Sequence, residues 1–232
     1  MKVILDFFRK TFLEFFRWFG VITGWIVQFV WFTRKTYYED RKSRGRFVKG
    51  GALIISNHYN VLDYICNVFL FFPRKLHVIF ADFGKWSRIG MTFFGGIPVD
   101  RSSYHMPFMD ESVRLLKKGK VVQIYPEASI SKDGSMLPFK PSYIYIALRA
   151  GVPIIPVIID GNYGIFKRAH VIVGKEINLD GRVADPQHPT HAEIKEINLE
   201  IQAKCHELRH DLDERVAKRG KKKATATEGE AK

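Results

Sequence analysis

The amino-acid sequence predicts an α/β protein with a mixed, mostly buried sheet flanked by helices, preceded by a pair of membrane-interacting helices. Its 232 residues are enough for one such domain and a terminal extension. From about residue 50, short apolar runs typical of buried strands alternate with amphipathic helical segments. Before that point the chain is rich in aromatic residues and then in basic ones, as in a membrane-binding surface. These observations divide the chain into three regions, 1–49, 50–219 and 220–232.

We predict that the first region, residues 1–49, attaches the protein to a membrane. Charged residues between Met1 and Phe19 recur every three or four positions and form one narrow stripe beside a wide apolar face, as in an interfacial helix. The uncharged stretch from Trp18 to Thr33 is shorter than the about 20 residues that a membrane span needs. A full span and a dip into one leaflet therefore both stay open. A pair of core helices in a soluble domain is the alternative.

Charge indicates the kind of partner. The net charge of +13 predicts an anionic one. Basic residues cluster between Arg34 and Lys49, which places this side at the cytoplasmic face of the cell membrane by the positive-inside rule. Because the aromatic residues crowd into the first third of the chain, we predict an anionic bilayer as the partner and no nucleic acid. Cys66 and Cys205 lie far apart and are predicted to be buried small hydrophobes in a reducing compartment.

The second region, residues 50–219, carries the predicted sheet, and its most apolar run is typical of a central strand. Strands are predicted at Ala52–Ser56, His77–Ala81, Lys120–Tyr125, Ile154–Ile159 and His170–Val173. Helices are predicted at Val61–Phe71, Phe108–Lys118, Ser142–Ala150 and Thr190–Lys218. Thr190 and Glu193 form a capping box at the start of the last helix. The third region, 220–232, is small, polar and charged, which predicts a disordered basic tail.

The first candidate site is the pair His58 and Asp63. A predicted strand ends just before His58, and Asp63 lies one turn into the helix that follows. An imidazole can take a proton from a hydroxyl near neutral pH, and a carboxylate can hold its tautomer and stabilise the imidazolium. In isolation this spacing favours an ordinary helix start with Asn57 as its cap, so the assignment depends on what lies downstream.

Three later stretches also have the character of a site. The turn from Gly95 ends on Arg101, whose guanidinium group would suit a phosphate. Glu127 follows a predicted strand, where ligands of α/β proteins usually bind, and its carboxylate could accept hydrogen bonds from substrate hydroxyls. The third stretch, Val152 to Pro156, opens the most apolar strand.

One further pattern is interpreted as structural. His206 and His210 match the zinc-binding pattern H-E-x-x-H. On a helix, however, both point away from the apolar face and towards solvated charges, whereas a zinc site needs a third ligand and a partly buried setting. No metal site is therefore predicted.

Taken in order and spacing, the four stretches resemble the glycerolipid acyltransferase family, of the bacterial 1-acyl-sn-glycerol-3-phosphate acyltransferase type. Asn57-His58 with Asp63 matches that family's motif N-H-x-x-x-x-D. The stretch from Gly95 resembles G-x-I-P-V-D-R, and Tyr125-Pro126-Glu127 resembles the start of F-P-E-G-T-R. The stretch from Val152 is similar to V-P-I-[IV]-P. The resemblance covers about residues 50–175.

The resemblance implies an enzyme that transfers an acyl chain from acyl-CoA or acyl carrier protein to the free hydroxyl of 1-acyl-sn-glycerol-3-phosphate, giving phosphatidic acid. His58 would be the general base and Asp63 would orient it, with no covalent acyl-enzyme, no metal and no cofactor besides the acyl donor. Arg101 would bind the phosphate of this lysophospholipid acceptor and Glu127 its glycerol. The full substrate-binding set is Asn57, Gly95, Arg101, Glu127, Ser129 and Lys140, and the acyl-donor side is Val152, Pro153 and Ile154.

The third motif departs from the family pattern at Ala128, Ser129 and Ile130, which stand for glycine, threonine and arginine. Alanine restricts the backbone at positive φ, and isoleucine cannot pair with a phosphate. Replacement charges could come from Lys85, Arg88 and Lys140. A different acceptor, such as lyso-ornithine lipid or another lysophospholipid, therefore stays open. So does a non-enzymatic role as a basic membrane-binding protein.

Overall fold

The computed structural model of the protein describes most of the chain beyond residue 48 and parts of the chain before it. The described residues are 7–8, 11–15, 17–20, 22–24, 33–40, 48–60, 62–81, 91, 95–99, 106–131, 133–165 and 167–230.

Seven strands within these residues form one sheet. They are β1 (Arg34–Tyr38), β2 (Ala52–Ser56), β3 (Leu76–Ala81), β4 (Ile97–Val99), β5 (Val121–Ile124), β6 (Ile154–Ile159) and β7 (Ala169–Val173). Their order across the sheet is β1-β7-β6-β2-β5-β3-β4. All neighbouring pairs are parallel except β6 and β7, which are antiparallel. The predicted mixed sheet is confirmed.

Beyond residue 48, the described residues include four helices that cover both faces of the sheet. They are α1 (Asp63–Leu70), α2 (Pro107–Lys117), α3 (Ser142–Ala150) and α4 (His191–Glu230). Apolar side chains of α2, α3 and α4 pack on one face, and those of α1 pack on the other. Because successive side chains of a strand point to opposite faces, Leu53 and Ile55 belong to the first cluster and Ala52 and Ile54 to the second.

Strand β2 is the centre of this arrangement. It pairs with β5 on one side and with β6 on the other, and all its residues are buried. Full burial of a leucine or isoleucine side chain stabilises the fold by roughly 1.5–3 kcal/mol, which explains why this apolar run forms a central strand. The carboxyl ends of β2, β5 and β6 therefore lie side by side.

Helix α4 begins as predicted and ends later than predicted. Thr190 Oγ1 accepts a hydrogen bond from the Glu193 backbone N–H at 3.3 Å, and the Glu193 carboxylate accepts one from the Thr190 N–H at 2.8 Å, so the capping box is confirmed. The helix continues to Glu230, beyond residue 220, where the sequence analysis placed the start of the basic tail. This segment lacks proline and is rich in lysine and alanine, which are good helix formers.

Two strands lie where the sequence analysis predicts none. Strand β1 falls inside the basic segment from Arg34 to Lys49, yet it pairs with β7, so the sheet begins before residue 50. Strand β4 falls inside the expected glycine turn and pairs with β3. Both are edge strands; β1 has no apolar pattern of its own, whereas β4 is a short apolar run whose Ile97 is buried in the core.

The described residues between 7 and 24 are helical and expose an aromatic surface. Trp18 packs edge-to-face on Phe72, with ring centroids 5.8 Å apart, and Arg17 is buried. The exposed apolar side chains are Phe7, Phe8, Phe12, Phe15, Trp18, Phe19 and Ile22. Within the described part of the chain, no helix combines the length and the apolar character needed to cross a membrane.

Candidate active site

Three loops leave the sheet at the edge where the carboxyl ends of β2, β5 and β6 meet. The loop after β2 carries His58, and the loop after β5 carries Glu127. The loop after β6 carries Asp160 and Tyr163. Ligands of α/β proteins usually bind at such an edge, so it is the candidate active site.

The structure brings His58 and Asp63 into contact at this edge. His58 Nδ1 lies 3.1 Å from Asp63 Oδ2. The side chain of Asp63 is 1% exposed and that of His58 is 18% exposed. With Nδ1 directed at Asp63, Nε2 is the ring nitrogen left for a substrate hydroxyl. This is the geometry of a general base with its orienting carboxylate.

Asp63 is held by further hydrogen bonds. The backbone N–H groups of Tyr59 and Asn60 each donate to Oδ2 at 2.8 Å. The Tyr163 hydroxyl donates to Oδ1 at 2.7 Å. A buried carboxylate with donors at both oxygens is fixed in one orientation. The sequence analysis missed Tyr163, which lies 100 positions beyond Asp63 and belongs to no motif.

The imidazole ring of His58 rests on Tyr125. The two rings stack with centroids 4.0 Å apart and an angle of 18° between their planes. Burial raises the pKa of the Tyr125 hydroxyl well above its usual range, so this ring stays neutral. The flat contact limits rotation of His58 and leaves its other face towards the edge of the sheet.

Glu127 supports the same turn through the backbone. Its Oε1 accepts a hydrogen bond from the His58 N–H at 3.1 Å, and its Oε2 accepts one from the Leu137 N–H at 2.8 Å. Burial raises the pKa of this carboxyl, although the two hydrogen bonds act in the opposite direction. In the structure both oxygens accept hydrogen bonds from the protein backbone, and the glycerol contact expected from the sequence stays a prediction.

Asn57, which the sequence analysis expects to bind substrate, contacts the protein backbone. Its side chain is buried, its Nδ2 donates to the Ile159 carbonyl at 2.8 Å, and its Oδ1 accepts from the Ile159 N–H at 2.9 Å. The amide nitrogen and oxygen of Asn57 thus both bond the backbone of Ile159, which links the end of β2 to the end of β6. Asn57 positions the turn that carries His58.

Four expected site residues lie at the opposite, amino-terminal edge of the sheet. Val152, Pro153 and Ile154 stand at the start of β6, where the Pro153 carbonyl accepts a hydrogen bond from the Leu53 N–H at 3.0 Å. Gly95 precedes β4, and its carbonyl accepts a hydrogen bond from His77 Nδ1 at 2.9 Å. The length of the strands separates these residues from His58. The acyl-donor and substrate contacts expected of these residues stay a prediction, and in the structure these motifs shape the backbone.

The remaining expected residues fall partly outside the described chain. Arg101, Lys85 and Arg88 lie outside the residues that the structure describes. Ser129 and Lys140 are exposed beside Glu127, and the Lys140 backbone N–H donates to the Pro126 carbonyl at 2.9 Å.

The departure at residue 128 has a visible consequence. Ala128 adopts a φ of 54°, in the left-handed region that glycine enters far more readily than alanine. The loop after β5 therefore keeps a conformation suited to glycine although an alanine stands there. The sequence analysis inferred that alanine restricts the backbone at this position, and the structure shows Ala128 in a strained conformation.

A contact from α4 reaches the active-site turn and was also missed. Arg209 Nη1 donates to the Tyr59 hydroxyl at 2.7 Å, and that hydroxyl donates to the Gly134 carbonyl at 2.7 Å. Arg209 also lies over the Tyr59 ring. The sequence carries only a weak indication of this role for Arg209, because an arginine on a charged helix face is usually solvated.

The described residues contain no group of three or more histidine, cysteine, aspartate or glutamate side chains that could hold a metal ion. His206 and His210 are exposed on α4, as the helical period predicts. Cys66 and Cys205 are buried, and burial raises the pKa of both thiols to about 12.

Comparison with known proteins identifies relatives of the chain. The family model described as Acyltransferase matches residues 30–160. The chain is 30% identical over 142 residues to 1-acyl-sn-glycerol-3-phosphate acyltransferase beta of Homo sapiens, covering 59% of this chain and 51% of that protein. It is 28% identical over 194 residues to 1-acyl-sn-glycerol-3-phosphate acyltransferase of Haemophilus influenzae, covering 78% of this chain and 75% of that protein. The chain thus spans about half the length of the human relative.

A solved structure shows the same fold. The crystal structure of the 1-acyl-sn-glycerophosphate (LPA) acyltransferase from Thermotoga maritima superposes with a TM-score of 0.56 and 20% sequence identity, covering 89% of this chain and 81% of that one. The family match includes β2, β5 and β6 together with His58, Asp63 and Glu127. It extends over more than half of the sequence, and the chain therefore belongs to the Acyltransferase family.

Proposed function

We propose that the protein transfers an acyl chain from an acyl-CoA or acyl carrier protein thioester to the free hydroxyl of 1-acyl-sn-glycerol-3-phosphate, giving phosphatidic acid. The observation that carries the proposal is a buried carboxylate, Asp63, behind the more accessible imidazole of His58, with Nδ1 and Oδ2 3.1 Å apart at the carboxyl edge of the sheet. The acceptor is suggested by the names of the relatives, which are 1-acyl-sn-glycerol-3-phosphate acyltransferases.

In this reaction His58 Nε2 takes the proton while the acceptor oxygen attacks the thioester carbonyl carbon. Asp63, in contact with Nδ1, stabilises the imidazolium that forms. The carbon–sulfur bond then breaks, and the leaving thiolate takes the proton back from His58. The acyl chain passes directly to the acceptor, so the proposal includes no acyl-enzyme, no metal and no cofactor besides the acyl donor.

One observation favours a second acceptor. Ile130 is 43% exposed beside Ser129, at the position where the family pattern has an arginine that could pair with a phosphate. A lysolipid that demands less positive charge there, such as lyso-ornithine lipid or another lysophospholipid, is the second candidate. In the first candidate, Arg101 is the residue proposed to bind the phosphate.

We further propose that the helical residues near the amino terminus bind an anionic bilayer at the cytoplasmic face of the cell membrane. Their exposed apolar side chains are 56–66% accessible, apart from Trp18. Such a concentration of exposed aromatic surface is unusual in water and favourable at a lipid interface. The net charge of +13 has the sign that anionic lipids attract.

The test is an acyl-transfer assay with a defined acyl-CoA and an acyl carrier protein thioester, on lysophosphatidate and on lyso-ornithine lipid. We expect His58→Ala to lower turnover on the order of a thousandfold or more. The matched control His206→Ala, at an exposed histidine of α4, should leave turnover unchanged, and both variants should bind vesicles.

Full activity of His58→Ala would contradict the proposed base. Product from lyso-ornithine lipid and none from lysophosphatidate would select the second candidate. Vesicle binding without transfer to either acceptor would favour a non-enzymatic membrane-binding protein.

A further inference from the structure

Tyr163 lies next to the candidate base although it is far away in sequence. Its hydroxyl donates to Asp63 Oδ1 at 2.7 Å, and its ring packs against the apolar cluster beneath α1. On the other carboxylate oxygen, Oδ2, the same Asp63 accepts from the N–H groups of Tyr59 and Asn60 and contacts His58 Nδ1. The carboxylate thus joins the tyrosine hydroxyl to the imidazole.

We propose that Tyr163 is a positioning residue for this reaction, which sets both the orientation of Asp63 and the strength of His58 as a base. The inference rests on the proposed function, because it concerns the same acid–base pair. The candidate site then consists of three side chains joined in a row by short polar contacts, Tyr163, Asp63 and His58.

The orientation of Asp63 depends on Tyr163 because the two oxygens have different partners. Backbone groups of its own turn hold Oδ2, whereas in the described part of the chain the donor to Oδ1 is Tyr163. Without that hydroxyl, Oδ1 of a fully buried carboxylate loses its donor, which is unfavourable. The carboxylate would then be held through Oδ2 alone, so its orientation behind His58 would be less well defined.

The loop that carries Tyr163 is itself held in place. Asp160 Oδ2 contacts His170 Nδ1 at 2.9 Å, and the Asp160 N–H donates to the His170 carbonyl at 3.1 Å. These contacts close the loop between β6 and β7 at its base. Gly161, at a φ of 72°, lies so close to Tyr59 that an added Cβ would come within 3.0 Å of that residue. The loop therefore packs directly on the active-site turn.

The hydroxyl of Tyr163 is a donor at every pH at which the enzyme could work. Burial, followed by the neighbouring Cys66 and Asp63, raises the pKa of this hydroxyl far above its usual range. A hydroxyl that keeps its proton withdraws charge from Asp63 and so weakens the attraction between Asp63 and a protonated His58. Its removal should make the imidazole hold a proton more tightly.

The experiment compares Tyr163→Phe with Tyr143→Phe in the full chain. Tyr143 is a matched control, since it is also buried and its hydroxyl donates to Asn198 Oδ1 at 2.9 Å, in the packing between α3 and α4. Both variants lose one buried hydroxyl. For Tyr163→Phe we expect kcat to fall about tenfold, with KM within about twofold, and the acid limb of the pH–rate profile to move to higher pH by roughly half a unit. Tyr143→Phe should leave kcat and the profile unchanged.

An unchanged pH profile in an active Tyr163→Phe variant would overturn the inference, and so would equal shifts in both variants. A second measurement does not need activity. The ring protons of His58 are titrated by NMR in the two variants, and only Tyr163→Phe should move the midpoint upwards. Inactivity of the wild-type protein, or full activity of His58→Ala, would instead contradict the proposed function, so the two failures are distinguishable.

Discussion

The described chain contains two partly or fully buried histidine–aspartate pairs near the same edge of the sheet, and their surroundings differ. The nitrogen–oxygen distances are similar, 3.1 Å for His58–Asp63 and 2.9 Å for His170–Asp160. In the first pair the aspartate is 1% exposed and the histidine 18%, whereas in the second the values are 14% and 13%. In the first pair the carboxylate of Asp63 is thus fully buried behind the more accessible imidazole of His58.

The hydrogen bonds around the two pairs also differ. The His58 ring stacks on Tyr125, and Asp63 accepts hydrogen bonds from the Tyr59 and Asn60 N–H groups of the same turn and from the Tyr163 hydroxyl. Asp160 instead accepts from the backbone N–H groups of Asn162 and His170, both at 3.0 Å, and so closes a loop. A short contact between the two residue types therefore does not identify a base. The accessible nitrogen and the support behind the carboxylate distinguish the two pairs.

The largest expected effect tests this distinction directly. Asp63→Asn should lower kcat on the order of a thousandfold or more, because an amide can neither fix the same tautomer of His58 nor stabilise the imidazolium. Asp160→Asn removes the equivalent charge from the second pair and should lower kcat by less than about fivefold, while it destabilises the fold by about 1 kcal/mol. Steady-state kinetics and urea unfolding of both variants measure the two effects. Equal losses of activity would show that both pairs take part in the reaction.

A smaller effect is expected at the carboxylate that supports the turn of His58. Glu127→Gln keeps one acceptor oxygen and replaces the other by an amide group, so either the His58 or the Leu137 N–H loses its partner. We expect kcat to fall about 10- to 100-fold through misplacement of the base, with a loss of about 1–3 kcal/mol in stability. If KM rises while kcat stays the same, Glu127 binds substrate, as the sequence analysis expected.

The same variant has a pH signature with a definite sign. Burial raises the pKa of Glu127 above 4.5, so the folded state binds this proton more tightly than the unfolded state. That stabilisation is fully present below pH 4.5 and is lost as the pH rises through the raised pKa. The stability advantage of wild type over Glu127→Gln should therefore shrink in urea unfolding as the pH rises from 4.5 through the raised pKa. An advantage that grows with pH would contradict the raised pKa.

The parts of the fold that the sequence predicts are those with a local physical cause. The apolar run of β6 and the amphipathic period of α3 predict the observed bounds of both elements. His58 and Asp63 are five positions apart, so one turn of chain brings them together. Strand β1 has no such local pattern, because it contains two basic residues and two tyrosines and is defined by pairing with β7.

The supporting residues of the site were missed for the same reason. Tyr163 and Arg209 contact the turn from 100 and 150 positions away, and no spacing rule connects such residues. Glu127 was found, because it follows a strand, but its backbone contacts depend on how two loops meet. Motif residues at the amino edge, such as Pro153, look equivalent in sequence to those at the carboxyl edge. Only the direction of the strands separates them.

The smallest expected effect is a change in stability at two residues with left-handed backbone, one at each edge of the sheet. Ala128, beside the site, has a φ of 54°, and Gly151, at the opposite edge, has a φ of 63°. An alanine in the left-handed region is strained by roughly 1 kcal/mol relative to glycine, partly offset by the greater freedom of glycine in the unfolded chain. We therefore expect Ala128→Gly to stabilise the protein by about 0.5 kcal/mol and to raise Tm by about 1–2 °C.

Gly151→Ala is the reciprocal variant, because an added Cβ there meets nothing within 4 Å and the backbone conformation alone determines the outcome. It should destabilise the protein by about 1 kcal/mol and lower Tm by about 2–4 °C. Calorimetry of both variants, with the transfer assay alongside, separates backbone strain from function. If Ala128→Gly raises Tm and also lowers kcat, the strained alanine helps to hold Glu127 and the turn of His58 in place. If Tm falls in both variants, contacts of the Ala128 methyl group outweigh the strain, and the two edges differ in packing as well as in chemistry.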